Sequence, residues 1–211
     1  MPGQPLTPDR FARQLDVSRE TVQRLTIHLE LLERWQGAIN LVGPGALKDP
    51  WRRLILDSAQ LVKYLPPDNA GLVDLGSGAG FPGMVLAILG VRGVHLIESD
   101  RRKAVFLREV ARLTGTPAEV HALRIERIAG WRSDVVTARA LAPLPRLLEL
   151  AARFLTPSTT CLFLKGKDVE RELTEARQTW HMIAHMSPSL SDPTGVVLEL
   201  QGVRRARDRQ P

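Results

Sequence analysis

Asp74-Leu75-Gly76-Ser77-Gly78-Ala79-Gly80 sets a carboxylate and three alternating glycines at the end of the short apolar run that begins at Leu72. A glycine turn between a strand and a helix lets backbone approach a ligand closely, because no Cβ intervenes and positive φ costs little. The dinucleotide fingerprint G-x-G-x-x-G wants glycine where this chain has Phe81, so its third glycine falls one position early and a pyrophosphate is disfavoured. Asp74 would repel phosphate but can accept hydrogen bonds from an ammonium group or from backbone N–H groups. S-adenosylmethionine carries that ammonium and no phosphate. Glu98 closes the run Val94-His95-Leu96-Ile97-Glu98, 24 residues beyond Asp74 and at the tip of the next strand, where a carboxylate can accept both ribose hydroxyls. Standing alone, such a glutamate is more often a solvated strand end or a partner of Arg101 or Arg102. Beside the Asp74–Gly80 loop it points to an adenosine ribose, a feature that dehydrogenase cofactors share.

Other chemistry-bearing patterns are weaker. His181 and His185 have the spacing of zinc ligands on a helix, but Met182 stands where H-E-x-x-H has its glutamate and no third ligand is evident, so no metal is expected. Trp35, Trp51, Trp131 and Trp180 are scattered and form no stacking motif. Cys161, the single cysteine, lies beside Leu162-Phe163-Leu164 and reads as a buried strand residue in a reducing compartment.

The elements that must position these residues follow from periodicity. Residues 7–65 read as helical. Thr7 caps a first helix that opens on Pro8 and Asp9, Ser18 caps a second with Val22, Leu25, Leu29 and Leu32 on one face, and a third runs from about Trp51 to Leu65. Gly43-Pro44-Gly45 interrupts them. From Gly71 onward short β-rich runs alternate with helical periods, the pattern of a parallel sheet covered by helices. Strands are expected at Leu72–Leu75, Val94–Ile97, Glu119–Leu123, Asp134–Ala138 and Thr160–Leu164, weakly at His181–Met186, and at Val196–Gly202. Helices are expected at Pro82–Leu89, Arg101–Leu113, Pro145–Leu155 and Asp168–Gln178, with a short turn near Ile125–Ala129. The division is an N-terminal helical extension over 1–70, a catalytic domain over 71–203 and a basic tail over 204–211.

With 211 residues and 44% apolar content the chain can close one sizeable core. Its longest nearly apolar run, Gly83–Val91, is about half of the ~20 residues a membrane span needs, and Met1–Arg10 has no signal-like core. A soluble, cytoplasmic, monomeric protein is expected. The net charge of +6, with only five lysines among 29 basic residues, suits a polyanionic partner, and arginine can both fork onto phosphate and stack on a base. A GC-rich genome would give the same arginine bias.

Asn40-Leu41-Val42-Gly43, Arg53 with Ile55-Leu56-Asp57-Ser58, the loop Asp74–Gly80 with its continuation Phe81-Pro82-Gly83, Glu98-Ser99-Asp100-Arg101-Arg102-Lys103 and Ala138-Arg139-Ala140 together resemble the 16S ribosomal RNA guanine-N7 methyltransferases of the RsmG (glucose-inhibited division protein B) family. The likeness extends over about 18–202. It implies a Rossmann-like S-adenosylmethionine-dependent methyltransferase fold, α/β, with a mostly parallel seven-stranded sheet. It also implies 16S ribosomal RNA or the small ribosomal subunit as partner. Cofactor contacts carry over to Gly76 and Phe81 in the loop beside Asp74 and Gly78, to Ile125 and Glu126 after the third strand, and to Arg139 after the fourth. In that reading Glu126 meets the adenine amino group and Ile125 gives an apolar face. Arg139 pairs with the methionine carboxylate or an RNA phosphate, and Phe81 borders the methionyl group or the target base, unless it simply packs at the helix start. The chain departs from the family at Leu54, where relatives often carry histidine.

The exit of the fourth strand, Thr137–Pro143, lacks the Asp/Asn-Pro-Pro-aromatic tetrapeptide of exocyclic-amine methyltransferases, and no cysteine stands where a pyrimidine C5 enzyme needs its nucleophile. Both absences favour an already nucleophilic target. Guanine N7 has an in-plane lone pair and no proton to remove, so no catalytic acid or base is assigned. Candidate RNA contacts are Arg52, Arg53, Arg101, Arg102, Lys103, Lys165, Lys167, Arg204, Arg205, Arg207 and Arg209, each of which singly is more often a solvated surface charge. Competing readings are a small-molecule methyltransferase, a non-catalytic ribosome-assembly factor and a dehydrogenase.

Overall fold

The computed structural model describes residues 4–67 and 71–206. Arg207 and Arg209, expected in a basic tail, lie outside the described residues, as do Asp68 and Asn69.

Seven strands form one sheet in the order β3-β2-β1-β4-β5-β7-β6. They are β1 Leu72–Leu75, β2 Val94–Ile97, β3 Ala118–His121, β4 Val135–Arg139, β5 Thr160–Lys165, β6 Trp180–Pro188 and β7 Val196–Arg205. All neighbours pair parallel except at β7, which is antiparallel to both β5 and β6. The order reverses between β1 and β4, and in open α/β sheets ligands bind outside the carboxyl ends of the strands at such a switch point. The first two strands occupy the expected bounds because all four residues of β1 are buried and β2 is nearly so, as a strand covered on both faces requires. Cys161 is fully buried in β5, and burial pushes its thiol up to about 12, which keeps it inert.

β6 runs longer than expected, and β7 carries Arg204 and Arg205 into the sheet. Arg204 and Arg205, expected in a tail, therefore belong to the sheet. Arg205 lies over the Trp180 ring at 5.0 Å, a cation–π contact that holds the end of β7. His181 and His185 sit on β6 and not on a helix, so their four-residue spacing spans ~13 Å and makes no shared ligand point.

The N-terminal helices α1 (Pro8–Leu15) and α2 (Arg19–Gln36) start at the expected caps, with Thr7 Oγ1 accepting from Arg10 N–H and Ser18 Oγ from Thr21 N–H. Their buried face shares one core with the strand β2 and with the helix α5 (Arg101–Thr114): Leu25, Leu29 and Leu32 lie in the same cluster as Leu96, Phe106 and Leu107. The helix expected from Trp51 to Leu65 instead changes pitch twice, from a π-helix over Trp51–Leu56 through α3 (Asp57–Ala59) to a 3-10 turn over Gln60–Tyr64. Leu54, Ile55 and Leu56 are consecutive and almost fully buried beside the half-exposed Arg53, so burial covers most of the helix circumference there and no narrow apolar stripe fixes a 3.6 period. The remaining helices are α4 (Gly83–Ile88), α6 (Leu144–Ala151) and α7 (Val169–Ala176). No helix among the described residues is long and apolar enough to cross a membrane.

Candidate cofactor and substrate site

The glycine loop turns between β1 and α4 with φ of +64° at Gly76, +55° at Gly78 and +90° at Gly80. Its glycines divide by what surrounds them. A Cβ on Gly78 would meet only the Gly76 carbonyl oxygen, at an ordinary contact distance of 3.8 Å, so there is room beside this residue. A Cβ on Gly80 would meet Met84, Leu107 and His28 at 2.7–3.2 Å, so this glycine admits protein and not ligand. Gly83 does the same, because its Cβ would fall 2.5 Å from Leu96 and 2.6 Å from Asp74.

Glu98 spans the loop from β2. Its Oε2 accepts from Gly78 N–H at 2.8 Å and its Oε1 from Asp100 N–H at 2.7 Å. Neither Arg101 nor Arg102 claims the carboxylate. Each oxygen keeps a lone pair, which is what two vicinal ribose hydroxyls would use. Asp74 is placed differently from the expectation. It is fully buried beneath the loop, with Oδ1 accepting from Thr137 on the neighbouring strand at 2.8 Å and Oδ2 without a partner. Burial holds its carboxyl at about 6, against the pull of its hydrogen bonds. Its side chain is closed off from solvent.

The Phe81 ring is 6% exposed and stacks on His28 of α2 at 4.8 Å with 7° between planes, which is the helix-start packing kept open above as its alternative. Ile125 is buried in the turn after β3, whereas Glu126 extends outward to pair with Arg146 at 2.6 Å.

On the other side of β4, a cleft of about 550 Å³ opens at the carboxyl ends of β4 and β5. Arg139 and Lys165 come from those strands, Arg53 and Asp57 from the pitch-changing helix, and Ser189 and Ser191 from the turn between β6 and β7. Asp57 accepts from Ser191, from Ser189 at 3.4 Å and from Gln60 at 3.1 Å, and lies 3.4 Å from Arg139 Nη1. Burial raises the Asp57 carboxyl, with Arg139 and the serines opposing it; burial also lowers the Arg139 guanidinium, which Asp57 offsets. Arg139 Nη1 makes no hydrogen bond in the cleft wall, so its contact with Asp57 is an ion pair alone. Lys165, expected to contact RNA, is enclosed: its ammonium pairs with Glu172 at 2.5 Å and donates to the Ala142 carbonyl at 3.1 Å. Arg53 is half exposed at the rim, 3.9 Å from Asp192.

Sequence reasoning missed His28, Ser189, Ser191 and Leu141. The serines sit in a Ser/Pro/Asp/Gly-rich stretch that signals only a turn. Leu141 gives no signal. It follows Ala140, whose left-handed φ of +49° turns the chain back so that Leu141 Cδ1 lies 2.5 Å from where a Gly76 Cβ would be. The two halves of the site thus meet at Gly76 and Leu141. The residues suit S-adenosylmethionine: a Gly78 with room beside it, a two-lone-pair Glu98, a buried Ile125 and, across Leu141, a cleft that carries Arg139, Asp57 and two serines for a second substrate.

This sheet order with one reversed strand, and a glycine loop spanned by an acidic residue from β2, define an S-adenosylmethionine-dependent methyltransferase. A TehB-like SAM-dependent methyltransferase from Corynebacterium glutamicum is similar in fold, with a TM-score of 0.58 at 15% identity over 84% of this chain and 98% of that one. Residues 21–195 match the GidB family, rRNA small subunit methyltransferase G, and the chain belongs to it. The ribosomal RNA small subunit methyltransferase G of Rhodospirillum rubrum is 55% identical over 201 residues, 95% of this chain and 100% of that protein. That of Rhodospirillum centenum is 56% identical over 193 residues, 92% and 89% of the two chains.

Proposed function

We propose that this enzyme transfers a methyl group from S-adenosylmethionine to N7 of a guanine in 16S ribosomal RNA, acting in the cytoplasm as a monomer. The observation that carries the reading is the meeting of the glycine loop with a cleft walled by Arg139, Asp57 and two serines across Leu141. The cofactor supplies an electrophilic methyl on a sulfonium. Glu98 takes the ribose hydroxyls, Gly76 and Gly78 present backbone, Ile125 and the Glu126 backbone flank the adenine, and Arg139 holds a carboxylate or phosphate. Asp74 and Phe81 act from below by fixing the loop. Guanine N7 needs no base, so the chain's contribution is to align the two reactants, which is worth on the order of 7–11 kcal/mol. Asp57 and the serines offer acceptors and donors to a base that has left its stack. Arg53 at the rim meets backbone phosphate, whereas Lys165 shapes the cleft wall through Glu172. The organisation into a helical extension and a catalytic domain fits α2 packing on α5 and β2 in one core.

Labelled S-adenosylmethionine supplied with assembled small subunits, protein-free 16S RNA and a small-molecule panel tests this by nucleoside analysis. Label in 7-methylguanosine is expected. Label in another nucleoside, or in a small molecule alone, overturns it.

A further inference from the structure

At the far edge of the sheet, His95 on β2 and Glu119 and His121 on β3 point from one face. The register pairs His95 with Glu119, and His121 follows two residues along the same strand. Strand pairing and not sequence proximity brings them together. His95 Nδ1 lies 3.1 Å from His121 Nε2, and the carboxylate presents Oε2 at 3.4 Å to the first and Oε1 at 3.7 Å to the second. One ligand atom from each residue fits within 4.8 Å of the others.

Two nitrogens bound to one tetrahedral ion at ~2.05 Å stand about 3.3 Å apart, so these separations bracket the edge of such a coordination sphere. We propose that His95, Glu119 and His121 form a binding site for a borderline divalent transition metal, Zn²⁺, Ni²⁺ or Co²⁺, that ties the edge strand β3 to β2. Two imidazoles and one carboxylate suit these ions and not Mg²⁺ or Ca²⁺, which require mostly oxygen. Access is open: the Glu119 side chain is 65% exposed, and His95 and His121 are 28% and 20% exposed. Trp131 closes the apolar side, with its ring 4.9 Å from His95, 5.2 Å from His121 and 5.0 Å from Phe154. The site is independent of the methyl-transfer reading.

The full-length chain, stripped with chelator and dialysed, is titrated with Zn²⁺, Ni²⁺ and Co²⁺ by calorimetry and tryptophan fluorescence. One site is expected, with Ni²⁺ and Co²⁺ quenching Trp131; Trp131→Phe removes the quenching but keeps the calorimetric binding. Saturation at about 100 Kd of Zn²⁺ raises Tm by roughly 5–10 °C. Glu119→Gln weakens binding about tenfold or more and His95→Ala/His121→Ala abolishes it, while His181→Ala/His185→Ala leaves it intact. Binding that survives the double substitution at 95 and 121, or no Zn²⁺ uptake tighter than about 1 mM, overturns the site. Should that double variant fail to fold, the exposed Glu119→Gln decides alone, and an unchanged affinity overturns the proposal.

Discussion

The His28 imidazole lies flat against the Phe81 ring, 4.8 Å between centroids, while its Nε2 sits 2.8 Å from the Ala79 carbonyl. A carbonyl only accepts, so Nε2 carries the proton and Nδ1 is left bare in the core without a partner. One side chain of the N-terminal extension therefore fixes two residues of the glycine loop.

A second proton on Nδ1 would have no acceptor in this core, so His28 is held neutral. Burial lowers it to about 4 from 6.5, so below pH 6.5 the unfolded chain takes a proton that the folded chain refuses. Stability is lost as pH falls from 6.5 to 4, by about 3 kcal/mol at most. His28→Phe keeps the stack but strands the Ala79 carbonyl, costing about 1–3 kcal/mol at pH 7 in urea unfolding. Its loss relative to the native protein should shrink at pH 5, and an equal loss at both pH values would exclude the titration.

Asp74 titrates with the opposite sign. Its folded value of about 6 exceeds the ordinary 3.8, so ionisation penalises the folded chain as pH rises from 3.8 to 6. Asp74→Asn keeps an acceptor for Thr137 and removes that penalty. The variant should be more stable than the native protein at pH 7, by up to about 3 kcal/mol, and no more stable at pH 3.5. Over pH 4–6 the native protein combines both groups, so its own profile should be flatter than that of either variant.

Gly83→Ala drives a Cβ into Asp74 and Leu96, whereas Gly78→Ala makes only an ordinary contact at 3.8 Å but a strained φ of +55°. The first should cost roughly 1–3 kcal/mol of stability or more, in thermal unfolding. The second should cost less stability and more cofactor affinity, read by calorimetry with S-adenosylmethionine. The reverse ranking would assign the loop's glycines the wrong way round.

Lys165 and Glu172 are 10% and 14% exposed, so removing one partner leaves a buried charge. Lys165→Ala should destabilise by about 3–5 kcal/mol. The slope of log affinity for RNA against log salt should not change. Arg53→Ala should instead reduce that slope by about 0.7, the share of one phosphate contact to single-stranded RNA, with cofactor affinity intact.

Glu98→Ala removes the acceptor of two backbone N–H groups as well as the proposed ribose ligand. Cofactor affinity should fall by tenfold or more, in calorimetry, with RNA binding nearly unchanged; equal loss of both would count against the ribose role.

The strands β1 and β2, the caps Thr7 and Ser18, and the loop between Asp74 and Gly80 were all legible because each depends on local chemistry: burial on both faces, a side-chain oxygen before a helix, glycine at positive φ. β6 was faint because it is an edge strand with alternate residues exposed and a register shift between His181 and Ile183. The pitch changes after Trp51 left no periodic trace, since the three consecutive buried residues Leu54, Ile55 and Leu56 wrap most of the helix and mark no narrow face.

What the sequence by itself determined was the order of elements, the place of the glycine loop and the acidic residue at the end of β2. These follow from propensity and period along the chain. Only the tertiary structure decided the direction each side chain takes. It sent Asp74 and Phe81 inward, locked Lys165 to Glu172, laid Leu141 over Gly76, and joined Asp57 to Ser189 and Ser191 across more than 130 positions. Those relations depend on packing between elements distant in sequence, where a buried charge or donor must find whatever partner the fold brings near.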